Sequence, residues 1–220
     1  REGNKIQPFC DEQVQMFPKE ELTSGMLLWA DQVLCGKNAT RNELNQFVRR
    51  EKGYTDVLPQ EGEKIIITAN NWELMNKEGY SLVNGMLAEV TRSFGVNKAD
   101  EAMGRSMGKN IRWAPINFQP DVGGSEFTGV KYDAQPFIDG TNSYIVNQFA
   151  KGYNKINYLD FGYVITVHKF QGSECDKGLG IEERMNGKQH KAWLYTMSTR
   201  FAEKFVLLYD EKSPIWDLSK

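Results

Sequence analysis

The stretch GYVITVHKFQGSECD, residues 162–176, decides how this chain reads. Its first half, Tyr163 to Val167, is a short apolar, β-branched run of the kind that forms a strand. Its second half masses His168, Lys169, Gln171, Gly172, Ser173 and Glu174 in a turn or short helix. Polar groups at the carboxyl end of a strand sit where open α/β sheets bind ligands. A glycine at position 172 lets backbone N–H groups approach a phosphate, and Thr166, His168 and Lys169 can bond the backbone of a nucleic acid strand. A solvated loop carrying a core histidine uses the same residue types, so both readings stand at this point.

Working outward toward the C-terminus, HKAWLYTMSTRFAEKFVLLY (residues 190–209) predicts a helix from about Gln189 to Ala202 and a strand at Phe205 to Tyr209. Trp193, Leu194 and Met197 can face a sheet while Thr196, Ser198, Thr199 and Arg200 gather near the helix end. A guanidinium held by a rigid helix can stabilise charge on a transferring γ-phosphoryl group. The plain alternative for Arg200 is a cation complementing the helix dipole.

Toward the N-terminus, ADQVLCGKNATRNELNQFVR (residues 30–49) reads as a strand at Val33 to Cys35, a turn at Gly36, and a helix with Thr40 as N-cap and Glu43 beyond it. That β-α unit is typical of a doubly wound sheet. In GEKIIITANN (residues 62–71) the unbroken Ile65 to Ile67 run suits a strand buried on both faces, and a further strand is expected at Met86 to Thr91 after an Asn84-Gly85 turn. Residues 94–158 hold ten aromatics among Gly, Asn and Pro with little helical period, as in a small all-β insertion. The expected organisation is a connector at 1–30, an α/β parallel-sheet domain at 31–93 and 159–220, and the β-rich insertion at 94–158. KGLGIEERMNG, residues 177–187, is polar and Gly-rich, so any strand there is expected to be short or irregular.

Composition limits the function. With 220 residues, 40% apolar and a net charge of -2, the chain can bury a core and is not a disordered polyanion. No global basic excess advertises nucleic acid, but from Lys151 to Lys204 nine cations face six anions, a local excess in the segment that holds the polar turn. Three scattered cysteines and two histidines rule out a disulfide scaffold and a zinc knuckle, and no metal site is expected. No apolar run is long enough for a bilayer span and no signal pattern opens the chain, so the expected compartment is reducing and aqueous. There is no G-x-x-x-x-G-K-[ST] and no strand ending in an Asp-Glu pair, so these residues cannot build a Mg-ATP site alone. The chain opens at Arg1 in REGNKIQPF, which reads as the tail of a helix already in progress and as a piece of something longer.

GYVITVHKFQGSECD resembles motif V, and LYTMSTRFAEKFVLL (residues 194–208) resembles motif VI, of superfamily 1 DNA helicases of the RecD-like and Dda-like group, which includes phage enzymes. ADQVLCGKNATRNELNQFVR looks like the start of that group's second RecA-like domain, and GEKIIITANN with LVNGMLAEVT (residues 82–91) looks like its Gly-Asp-x-Val … Asn-Gly strands. The insertion sits where the group carries a small SH3-like domain. The resemblance implies a RecA-like parallel sheet with an SH3-like insertion, belonging to an ATP-dependent helicase that moves 5′ to 3′. It further implies that Thr166, His168, Lys169 and Ser173 meet single-stranded DNA, that Gln171, Gly172 and Glu174 link the strand to the nucleotide, and that Arg200 contacts the γ-phosphate. Thr199 and Tyr195 would position the Arg200 helix.

ATP and Mg2+ would be the cofactors, held mainly by an N-terminal RecA-like domain of the same protein that carries the phosphate loop, the acidic pair and the motif IV arginine. Further implied partners are replication or recombination proteins, and the implied compartment is the cytoplasm of a bacterial or phage-infected cell. Insertion aromatics could form a wall against DNA, although most suit the insertion's own core. The alternative function is a non-catalytic module, helicase-like in fold, that binds single strands or a partner in an exonuclease or replication complex. Arg200, Gln171 and Glu174 weigh against it, because a pure binding module has no need of γ-phosphate contacts.

Overall fold

The computed structural model describes residues 6–96, 112–140, 155–184 and 189–216. The chain forms two compact units, Arg1–Gly53 with Tyr163–Lys220, and Tyr54–Gly162.

In the first unit, strands β1 (Val14–Pro18), β2 (Gln32–Cys35), β10 (Val164–Thr166), β11 (Cys175–Ile181) and β12 (Phe201–Tyr209) form one parallel sheet in the order β1-β12-β11-β2-β10. Helices α1 (Ser24–Trp29) and α2 (Asn38–Glu51) bury Leu27 and Val48 against Val33, Val164, Leu179 and Leu208. Successive strand residues point to opposite faces. Leu179 and Ile181 therefore serve that cluster, while Gly178 and Gly180 face α4 (Gln189–Ser198) and the first residues of β12. This is the α/β parallel sheet with helices expected of a RecA-like domain.

Three local expectations change. Residues 1–30, read as a connector, supply β1 and α1, because Met16 and Leu27 are buried in the first unit and Thr23 caps α1 by accepting the Met26 N–H at 3.2 Å. The Gly-rich stretch, expected to hold only a short or irregular strand, is the seven-residue β11 between β12 and β2 inside the sheet; it is not short, but it is irregular at its start, with a register shift against β12 between Cys175 and Lys177. Its glycines are required by bulk on the neighbours: a Cβ at Gly178 would lie 1.7 Å from a ring carbon of Phe201, and one at Gly180 would lie 2.8 Å from the Met197 sulfur. Finally, α4 stops at Ser198 instead of running to Ala202. Its last turn carries hydroxyls that bond backward, Ser198 Oγ and Thr199 Oγ1 both donating to the Tyr195 carbonyl, at 3.1 and 3.0 Å. Phe201 already belongs to β12.

The second unit is an antiparallel sheet in the order β8-β7-β6-β3-β9, built from β3 (Lys64–Ile67), β6 (Leu87–Ser93), β7 (Trp113–Pro120), β8 (Phe127–Asp133) and β9 (Leu159–Phe161). A hairpin of β4 (Asn71–Met75) and β5 (Ser81–Leu82) and a short helix α3 (Gln135–Asp139) complete it. The Ile65 to Ile67 run is fully buried as expected, but it pairs antiparallel with β6 and β9 and so belongs to this unit, not to the parallel sheet. A β-branched run reports burial and leaves the sheet undetermined. Gly85 has φ of 92°, the positive value expected of the Asn84-Gly85 turn. Of the ten aromatics at 94–158, Phe118, Phe127 and Tyr132 are fully buried, and Tyr144, Phe149 and Tyr153 lie outside the described residues.

Candidate functional site

Thr166 ends β10 and its carbonyl accepts the N–H groups of Lys169 (2.9 Å) and Phe170 (3.2 Å), closing a tight turn. The Val167 N–H donates to the Cys35 carbonyl at 3.0 Å, fastening the turn to the end of β2, and Phe170 anchors it at 2% exposure. His168 is left exposed and Lys169 half-buried, so the core-histidine reading does not apply to His168. Gly172 has φ of 94° with nothing within 4 Å of its missing Cβ, a conformation that would strain any L side chain. Gln171 and Glu174 are exposed and Ser173 is half-buried.

The register divides these residues. Thr166 pairs with Cys35, the last residue of β2, whereas Gly178 pairs with Gln32, its first, and Cys175 to Lys177 extend beyond it. The segment from Val167 to Glu174 therefore runs from the carboxyl edge of the sheet back to its amino edge. Sequence reading placed the whole polar group at the carboxyl edge. Thr166, His168 and Lys169 lie there, while Ser173 and Glu174 lie at the amino edge beside Arg200.

Arg200 occupies the turn between α4 and β12, and its carbonyl accepts the Cys175 N–H at 3.1 Å. Its guanidinium donates from Nε to the Thr196 carbonyl (3.1 Å), from Nη1 to the Ser173 carbonyl (3.5 Å) and from Nη2 to Thr199 Oγ1 (3.1 Å). All three acceptors are neutral, and among the described residues no carboxylate pairs with it. A guanidinium has five N–H donors. The side chain is thus half-buried and braced, with its charge uncompensated and donors to spare, as contact with an anion requires. Thr199 does brace it, and Tyr195 contributes through its carbonyl while its ring is 71% exposed.

Sequence reading missed Glu183. At the end of β11 its Oε2 accepts the N–H groups of Gly36 (2.7 Å) and Lys37 (2.6 Å), and its Oε1 accepts from Thr40 Oγ1 (2.6 Å). Thr40 is therefore not the N-cap of α2; the carboxylate of Glu183 meets the exposed N–H groups and the positive end of the helix dipole. In a strand-turn-helix unit this is where a phosphate would sit. Glu183 fills it, so its carboxylate takes the donors that a phosphate at this helix start would need. Beneath the turn, burial pushes the Cys35 thiol up to about 12, with the Glu183 charge adding to the effect, so Cys35 is not a nucleophile.

Adjacent Glu182 has a separate, structural task. Its 1%-exposed carboxylate takes the Trp216 indole N–H at 2.6 Å and the Asp210 N–H at 2.7 Å, and pairs with His190 Nε2 at 2.6 Å. His190 is the core histidine of the chain. Among the described residues no group of three His, Cys, Asp or Glu side chains could hold a metal ion, and no helix is long and apolar enough to cross a membrane.

No family model and no curated protein matches the chain. Among solved structures it is similar to a Pif1 helicase from Bacteroides in complex with ADP-AlF3 and ssDNA, at TM-score 0.48 and 15% identity over 86% of this chain and 42% of that one. It is also similar to Bacteroides Pif1 bound to ssDNA, at TM-score 0.48 and 14% identity over 91% of this chain and 49% of the other. A third is Pif1 helicase from Candida albicans, at TM-score 0.46 and 13% identity over 84% and 46%. The chain spans less than half the length of each of these structures.

Proposed function

We propose that this chain is the C-terminal part of an ATP-dependent DNA helicase of the RecD-like and Dda-like group of superfamily 1, comprising the second RecA-like domain with an SH3-like insertion. The observation that carries the reading is the path of residues 166–174. One segment presents His168 and Lys169, with the buried Thr166 behind them, at the carboxyl edge of the parallel sheet and Ser173 and Glu174 at the amino edge, against Arg200. In this reading single-stranded DNA lies on Thr166, His168 and Lys169, Arg200 with Gln171, Gly172 and Glu174 meets the nucleotide, and Ser173, expected on the DNA, falls on the nucleotide side because its carbonyl accepts from Arg200 at the amino edge.

ATP, when bound, supplies the free energy for movement along the strand. Of this chain's residues, Arg200 fits the terminal phosphate, because its charge is not compensated within the described structure. Mg2+ and the remaining phosphates would be held by residues of an N-terminal RecA-like domain, since no phosphate loop occurs here and the strand-terminal pair Glu182-Glu183 is taken up by His190, Asp210 and Trp216 and by Gly36, Lys37 and Thr40. The helix start that could receive a phosphate is closed by Glu183. Translocation 5′ to 3′ and duplex unwinding belong to the same proposal.

The chain itself tests the DNA half of the reading. Labelled oligo(dT) titrated into the protein is expected to bind weakly and to lose affinity steeply as salt rises, because only a few cations serve the strand. The double substitution His168→Ala with Lys169→Ala should abolish that binding and Arg200→Ala should leave it intact. Binding that is tight and insensitive to salt, or equal in the double variant, would refute the assignment.

A further inference from the structure

The second unit carries an outward-facing apolar cluster that the helicase reading does not use. Trp72 is 63% exposed, Met75 48%, Tyr80 61% and Val122 88%. The first three lie on the β4-β5 hairpin, where Ser81 Oγ donates to the Trp72 carbonyl at 3.3 Å and the Asn76 N–H donates to the Tyr80 carbonyl at 3.0 Å. The turn after β7 brings Val122 alongside. Asn76 Nδ2 donates to the Ser125 carbonyl at 2.8 Å, and a Cβ at Gly124 would lie 3.6 Å from the Tyr80 ring. The fold does not require these four side chains outside: Leu74 and Leu82, at 1% and 0% exposure, already anchor the hairpin in the core. Clustered exposed apolar side chains on a soluble fold mark a contact surface.

Charge selects the occupant. In residues 70–82 and 119–126 the charged side chains are Glu73, Glu78, Asp121 and Glu126 against a single Lys77; Asp121 pairs with Lys64 and Glu126 accepts from Thr91 Oγ1, so the acidic excess beside the rings is that of Glu73 and Glu78 over Lys77. A DNA phosphate backbone would be repelled there, whereas arginine and lysine side chains stack on indole and phenol rings and pair with surrounding carboxylates. We propose that the β4-β5 hairpin face is a docking site for a cationic segment of another protein, whose arginines lie over Trp72 and Tyr80 between Glu73 and Glu78. The site is distinct from the single-strand contacts proposed for residues 166–169 and stands whether or not those hold.

The test is an amide NMR titration of the 15N-labelled 220-residue chain with a decapeptide of alternating arginine and glycine, a glutamate-glycine counterpart, and a ten-nucleotide oligo(dT). The arginine peptide is expected to shift the signals of residues 72–80 and 121–125, and the glutamate peptide and oligo(dT) to leave them in place. Affinity for the arginine peptide should drop tenfold or more in the Trp72→Ala, Tyr80→Ala double variant. It should drop as far in Glu73→Lys, Glu78→Lys, which keeps both rings and controls for any loss of fold. Unchanged affinity in both double variants, or oligo(dT) shifting these signals while the arginine peptide does not, would overturn the proposal.

Discussion

In the second unit the inner strands bring their own bulk: β7 alternates Ala114, Ile116 and Phe118 into the core, and Phe118 stacks on Phe127 with centroids 5.3 Å apart. In the first unit β11 brings Gly178 and Gly180 on one face, and the space is filled from outside by Phe201, Phe205 and Met197. The antiparallel sheet is thus packed largely by side chains from its own strands. On this face the parallel sheet is packed by Met197 of α4 and by Phe201 and Phe205 of its own strand β12, which flank the turn that holds Arg200 against Ser173. In the first unit the side chains that fill the glycine face are sequence neighbours of Arg200, whereas the second unit fills its core without reference to any such residue.

The largest expected effect breaks the self-packed core. Phe118→Ala should cost about 3 to 5 kcal/mol by cavity formation, read by denaturant unfolding, with hydrogen exchange losing protection in β3, β6 and β7 and keeping it in β11. Gly178→Ala should cost about 1 to 3 kcal/mol by overpacking, with protection lost in β11 and β12 instead. Because the added methyl collides with the half-exposed Phe201 ring, adding Phe201→Ala should recover part of that loss; strictly additive effects would deny that the Phe201 ring packs against Gly178 of β11.

The smallest effect is electrostatic and belongs to the first unit. Burial pushes the Asp210 carboxyl up, but the Lys19 ammonium at 2.9 Å and the Lys212 N–H and charge outweigh it and hold the group below its usual 3.8. A lowered folded value gives stability that is present above pH 3.8 and lost as pH falls through the folded value. Lys19 is partly exposed, so the gain is below about 1 kcal/mol. Lys19→Ala should erase it, seen as a flatter acid limb in thermal melts between pH 5 and 2.

Much of this contrast was legible beforehand, and the exceptions have physical causes. The runs at Val33 to Cys35, Ile65 to Ile67 and Phe205 to Tyr209 read as strands because their side chains fill the core themselves. Strand β11 read only as short or irregular, because a glycine whose space is taken by a distant aromatic looks like a breaker in isolation. The β4-β5 hairpin was missed because a register shift between Asn71 and Met75 spoils its alternation. In the candidate site, residue types marked the 166–174 segment, but its passage from one sheet edge to the other depends on the register against β2. Arg200 was identified by type, yet its braces are two carbonyls and a hydroxyl, and carbonyls carry no sequence signal. Glu183 left one clue, a carboxylate just past a strand, which gains meaning only once β11 is known to lie beside β2.

The central claim is that the two ends of the 166–174 segment do different work, DNA at one and nucleotide at the other. It is tested most directly by Arg200→Ala in the longer protein that the proposed function implies, measuring DNA-stimulated ATP hydrolysis and oligo(dT) affinity on the same preparation. The account predicts that hydrolysis falls by roughly 10³ while oligo(dT) affinity stays within about twofold, the reverse of the His168→Ala, Lys169→Ala pattern. Unchanged hydrolysis in Arg200→Ala, or loss of DNA binding with it, would contradict the division.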